Sequence, residues 1–273
     1  MVASRIRTTL RYFGLFSILI VMVFPLLWMF RVSVMHSGAA VGFRDLLFGG
    51  VTFVNFLDLF HQANMGRYLF NSIVVAIVVT DANVVFCFMV AYVLARYRML
   101  IGKLLFVTVI VILMIPAHIL IVPLYVLMIK TGMYDTYWAL MLPWLVNPIG
   151  IFLIKQYLES IPPDMEEAAR IDGASELTIL FRIVMPLCKP ALAVLAIQVF
   201  FTNWNLFLFP YILTSSESLR TLPVALAHFQ GHQAIDWQHL MAGSAVAVIP
   251  VLIVFAFLQR QIVSGITAGA IKQ

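Results

Sequence analysis

Six carboxylates, Glu159, Asp164, Glu166, Glu167, Asp172 and Glu176, crowd one short stretch of a chain in which only 11% of residues are charged. Apolar runs flank that stretch on both sides. A long polar loop between two membrane spans is where a membrane protein meets a soluble partner, so the acids mark a candidate docking element. A second set of polar residues lies inside the apolar runs: Asp81, Asn83, His118, Asn147, Asn203, Trp204 and Asn205. Such residues are costly in a bilayer and are functional candidates by default. Asp81 follows Asn71 closely enough to sit about 15 Å into a hydrocarbon core about 30 Å thick. A carboxylate there suits hydroxyl groups held in bidentate fashion, or an amine, but reads first as a structural hydrogen bond to another helix or to a partner permease. His118 follows Pro116, where a kink frees backbone groups, and a lone histidine there reads first as a packing residue. Trp204 between two asparagines offers a ring face and two amides, and also suits an interfacial anchor. His228, His232, Asp236 and His239 crowd one polar loop; without cysteines they read as a solvated loop rather than a zinc site.

The elements that must position these residues are helices. The chain of 273 residues is 63% hydrophobic with a mean hydropathy of +1.03, far from the roughly 25% charged content of soluble domains. Apolar runs of about 20 residues cross a bilayer as helices, because lipid leaves backbone groups no external partner. Six runs qualify, over about 12–32, 71–94, 104–128, 137–157, 191–213 and 241–262. The first is too long for a signal-peptide core of about 7–15 residues and is expected to be retained. Placing the N-terminus inside puts twelve Lys or Arg on the inner segments (Arg5, Arg7, Arg11, Arg96, Arg98, Lys103, Lys155, Arg170, Arg182, Lys189, Arg260, Lys272) and five outside. This bias predicts both termini and the acidic loop in the cytoplasm. The net charge of +5 therefore reports topology, not nucleic-acid binding. Cys87 and Cys188 lie in or beside apolar runs and suggest no disulfide framework.

Within the loop, Pro162-Pro163 stops the incoming helix. Asp164 is predicted as an N-cap with Glu167 at capping-box spacing, and Glu166 as the i,i+4 partner of Arg170. Ala168 and Ala169 leave a small face, and Gly173 lets the chain turn. A second helix is expected near Ser175, with Leu177, Leu180, Phe181 and Val184 as its apolar face and Pro186 at its end. By itself this also describes an amphipathic linker at the membrane surface.

The spacing Glu167-Ala168-Ala169, Gly173, Ile183-Val184-Met185-Pro186 resembles the EAA loop of binding-protein-dependent ABC importer permeases, with Met185 where leucine is usual. Asn71-Ser72, Ala91-Tyr92 through Arg96, Pro116, Pro123-Leu124-Tyr125, Asp135-Thr136-Tyr137, Leu142-Pro143, Trp204-Asn205 with Pro210, Arg220 through Pro223 and the tail Gly265–Lys272 are similar to the carbohydrate branch, the maltose-permease-like second subunit. Met35 departs from the lysine common in that branch, and Asp81 is not a usual acid of it.

The resemblance implies an all-α, polytopic protein of type I ABC importer permease fold, a single permease domain over 1–273 with a coupling loop at 159–186. It implies a non-catalytic, multi-pass subunit of a prokaryotic plasma or inner membrane. The expected partners are a second permease, two ABC ATPase subunits, an extracytoplasmic sugar-binding protein and lipid. Glu166, Glu167, Ala168, Ala169, Arg170, Asp172 and Gly173 would dock the ATPase, with the tail Ala268–Gln273 reaching it. ATP and Mg would be used by the ATPases, and no cofactor or metal is expected on this chain, which carries no phosphate-binding Gly-Lys-Ser/Thr loop. Absence of a central Lys or Arg favours a neutral or amino sugar. A glycerol-3-phosphate or polyol importer, and a self-sufficient ion-coupled transporter using Asp81, remain the alternatives.

Overall fold

Backbone amides in hydrocarbon must be satisfied within their own segment, and the apolar runs do this as helices. The computed structural model describes residues 2–38, 41–97, 99–228 and 235–270, and contains helices and turns with no strand among them. The His232, Arg98 and Lys272 positions invoked above lie outside the described residues, as do the last three residues of the tail.

In order, the helices are α1 (Val2–Ser33), α2 (Phe43–Phe48), α3 (Val54–His61), α4 (Met65–Arg96), α5 (Leu100–Leu113), α6 (Ile121–Lys130), α7 (Tyr137–Met141), α8 (Pro148–Glu159), α9 (Asp164–Ile171), α10 (Glu176–Thr178), α11 (Met185–Leu187), α12 (Lys189–Trp204), α13 (Leu208–Leu213), α14 (Leu222–His228) and α15 (Trp237–Ala270). Single 3-10 turns precede α6 and α8, and a π-helical turn, Ile179–Val184, joins α10 to α11. Four stretches are long and apolar enough to cross a membrane: Thr8–Ser33, Met65–Arg96, Tyr137–Glu159 and Trp237–Phe257. Two bent pairs, Leu100–Leu113 with Ala117–Lys130 at 94° and Glu176–Leu187 with Lys189–Trp204 at 79°, bring the number to six when each counts as one span. The first bend falls at Pro116, whose extended backbone (ψ 123°) ends α5 before the chain resumes.

Two compact units account for the chain, one of Met1–Arg67 with Ala225–Ile249, the other of Tyr68–Val224 with Pro250–Gln273. In the second unit, Val79, Phe88, Ile154, Leu158, Ile179, Val184 and Leu195 are buried together, drawn from α4, α8, the π turn and α12. Gly150 is the close approach in this core: a Cβ there would lie 2.7 Å from Leu195 Cδ1 and 3.1 Å from Cys87 Sγ. Sequence pieces far apart also converge here. The Asn71 amide donates to the Ser218 and Arg220 carbonyls (2.9 and 2.8 Å), Tyr137 donates to Asn71, and the Leu222 amide donates to Ser72 Oγ (2.7 Å).

Candidate functional site

The acidic stretch folds as a hairpin. The Pro163 carbonyl accepts from the Glu166 and Glu167 amides (2.9 and 3.1 Å), so Pro163, not Asp164, is the N-cap, and no side chain caps α9. Asp164 falls one residue too late for the predicted capping box because the second proline already has the α-region φ of a helix start. Gly173 closes α9 with φ +83°, a left-handed conformation that L side chains adopt only at a cost. Ser175 then caps α10, its hydroxyl accepting from the Thr178 amide at 3.3 Å. The helix continues through Pro186 to Leu187 rather than ending at the proline. Its buried face is Ile179, Leu180 and Val184, whereas Leu177 and Phe181 are exposed. The wider π turn rotates the face away from the one that 3.6-residue periodicity predicts.

The predicted Glu166–Arg170 pair does not form. Glu166 is 2% exposed and takes Arg96 Nε from the end of α4 at 2.7 Å. Tyr92 donates to its other oxygen at 3.1 Å, and the Arg96 guanidinium also donates to the Ile161 carbonyl at 3.0 Å. Arg170 turns instead to Glu176 across the glycine turn, with bonds of 2.7 and 3.1 Å, while Tyr97 donates to Glu176 at 3.1 Å. The Arg170 hydrogen bond holds the Glu176 carboxyl below its ordinary range, and the same bond raises Arg170. A tertiary partner with two further hydrogen bonds outcompetes a solvent-exposed helical pair worth about 0.2–0.5 kcal/mol.

The remaining residues of α9 form an outward face. Asp164, Met165, Glu167, Ala168, Ile171 and Asp172 are exposed, Ile171 by 87%, while Ala169 packs inward against the core. Carboxylates interleaved with bare apolar side chains and a small alanine suit a concave partner surface carrying basic charge.

The intramembrane candidates separate into two groups. Asn83 is fully buried and donates to the Val79 and Trp144 carbonyls (2.9 and 2.6 Å). Asn147 caps α8 through the Ile149 amide (2.9 Å), and its backbone meets Cys87 Sγ at 3.4 Å. Trp204 is 3% exposed and stacked on Phe200, and Asn203 donates to the Val199 carbonyl while its Oδ1 is buried without a hydrogen bond. Asp81, His118 and Asn205 are exposed; His118 leans against Phe209 with ring centroids 6.0 Å apart, and Asn205 donates to the Phe201 carbonyl. Among the described residues no group of three or more His, Cys, Asp or Glu is placed to hold a metal ion.

Residues 83–268 match the family described as the binding-protein-dependent transport system inner membrane component. The chain belongs to that family. This permease is 36% identical to an arabinooligosaccharides transport system permease protein of Halalkalibacterium halodurans, over 98% of each chain. It is 35% identical to a trehalose/maltose transport system permease protein of Thermococcus litoralis, over 93% of this chain and 92% of that one. In fold it matches a chain of a bacterial ABC transporter involved in the import of the acidic polysaccharide alginate, with TM-score 0.81, 23% identity, and coverage of 94% and 97% of the two chains. It is accordingly a multi-pass membrane permease subunit and not an enzyme. Within the permease, the residues that sequence reasoning missed are Tyr92 and Arg96. The Ala91–Arg96 segment stood out as the end of a span and as a point of family resemblance, but nothing in its spacing told which of two adjacent glutamates, seventy residues on, it would hold.

Proposed function

We propose that this permease forms half of the translocation pathway of an ATP-driven, binding-protein-dependent importer of neutral oligosaccharides, and that its hairpin over 159–186 docks an ATPase subunit. The observation that carries the substrate class is the pair of full-length relatives at 36% and 35% identity, named for arabinooligosaccharide and trehalose/maltose transport. The exposed acidic and apolar face of α9 supports the docking role, and the charge bias of twelve basic residues against five supports its cytoplasmic placement. The complex would comprise a second permease, two ATPase subunits that hydrolyse ATP with Mg, and an extracytoplasmic binding protein that selects the sugar. A neighbouring structure, of a bacterial alginate ABC transporter, contains its pentasaccharide-bound periplasmic protein. In the pathway, Asp81, His118 and Asn205 are the polar side chains left open to a passing solute, while Asn83, Asn147, Asn203 and Trp204 support the helices around them.

The test is reconstitution of the permease pair and ATPase in liposomes with the cognate binding protein, followed by uptake of radiolabelled arabino- and malto-oligosaccharides. Uptake that needs both ATP and the binding protein is the expected result. Solute movement by the purified permease alone, or uptake confined to polyol phosphates, would overturn the reading.

A further inference from the structure

In the unit formed by Met1–Arg67 with Ala225–Ile249, helix α3 buries Asn55 and Leu59 and leaves a large apolar face bare. Asn55 is 1% exposed and donates to the Ser33 and Met35 carbonyls at 2.8 and 2.7 Å, satisfying groups left free at the end of α1. Asp58 accepts from Gln62 at 2.9 Å and faces His239 at 3.6 Å. The opposite side, through Phe53, Leu57 and Phe60, is exposed, as are Phe43, Leu47 and Phe48 of α2. Helix α2 is tied to the same place: Arg31 of α1 donates to the Asp45 and Gly49 carbonyls at 3.2 and 2.7 Å.

We infer that α2 and α3 lie in the membrane–water boundary where α1 leaves the bilayer, with their phenylalanine and leucine face in lipid. Three observations on the same unit carry this. The hydrogen bonds from Asn55 and Arg31 pin both short helices to the last turn of a membrane-crossing helix, so the apolar face continues an existing lipid surface. The face is aromatic and aliphatic, and a contiguous patch of that kind is unusual on water-exposed protein. Asn55 is spent internally on the α1 carbonyls while His61 stays exposed at the end of α3, and this mix of polar and apolar exposure is that of a helix lying in the interface plane. The occupant is therefore lipid acyl chain and glycerol region, which would hold the first span at a set depth.

The experiment is collision-accessibility spectroscopy on the complete importer in liposomes, with spin labels at Leu57→Cys and Phe60→Cys. The protein without an introduced cysteine supplies the background, since Cys87 and Cys188 are buried, and Gln62→Cys supplies an aqueous reference. Labels at 57 and 60 should collide with oxygen several-fold more readily than with a water-soluble nickel chelate, unchanged on adding the binding protein. A preference for the chelate would place the face in water, and low collision with both reagents, before or after adding the binding protein, would make it a protein interface; each overturns the proposal. Should the cysteine variants fail to assemble, Phe48→Trp reads the same question, with quenching by brominated lipid above the wild-type level expected and none overturning it.

Discussion

Two adjacent carboxylates in α9 are held in opposite environments. Glu166 is enclosed by Arg96 and Tyr92, whereas Glu167 is exposed on the outward face. Removing Glu166 strands the Arg96 charge, whose side chain is 12% exposed, and breaking one partner of a buried pair costs about 3–5 kcal/mol. Glu166→Ala should therefore lower the melting temperature of the purified permease complex, and Arg96→Leu in the same chain should restore part of the loss. Glu167→Lys should leave that temperature unchanged while ATPase subunits no longer copurify. Equal thermal losses for the two single variants, or full ATPase recovery with Glu167→Lys, would contradict the assignment. The motif spacing singled out Glu167 from sequence alone, and the structure leaves it exposed. The spacing could not reveal Glu166, because its partners are set by how α4 ends against the hairpin, a tertiary fact without a local pattern.

At the scale of elements, the broken spans explain why several intramembrane polar residues are not free. Where α7 passes through a 3-10 turn into α8, regular i to i−4 bonding lapses and carbonyls lose helical partners. Asn83 of α4 supplies a donor to the Trp144 carbonyl, and Cys87 meets the Asn147 backbone one turn further along. Polarity in the sequence picked these residues out of the apolar runs, and hydropathy located the helices. Neither signal tells a polar side chain facing a solute from one facing a neighbouring helix's open carbonyl, since the 3.6-residue period reports faces and not what lies opposite. The two readings have different consequences. Asn83→Leu leaves a buried carbonyl unsatisfied, a cost of about 1–3 kcal/mol, so the complex should unfold at lower temperature or lower denaturant. The KM for sugar uptake by the surviving fraction should stay within about twofold, a change under ~0.5 kcal/mol. A specific rise in KM without loss of stability would return Asn83 to the pathway.

Among the described residues, exposed apolar side chains line α1, α5 and one face of α4, as lipid and neighbouring subunits require. Asp81 breaks that pattern. It lies near the middle of α4, about 24 Å from the Met65 end and about 22 Å from the Arg96 end at 1.5 Å per residue, and Ile77, Val78 and Met89 on the same side are exposed and apolar. A carboxylate at the centre of a lipid-facing helix costs about 2.5–3.5 kcal/mol even by insertion scales, a cost that the translocation path or the second permease would remove. The path is the better match, because a single exposed acid in an apolar surface gives a passing solute one strong acceptor and little else to hold it. A hydrogen bond to a charged group contributes about 1.5–3 kcal/mol. Asp81→Asn, which keeps the size and most hydrogen-bonding capacity, should then raise the KM for ATP-dependent uptake by about tenfold, the equivalent of about 1.4 kcal/mol. Recovery of the second permease in copurification and ATPase stimulation by the loaded binding protein should both be retained. If the variant instead loses the second permease during purification and leaves KM unchanged in whatever assembles, Asp81 is an intersubunit contact, and the solute must find its acceptors elsewhere on the pathway wall.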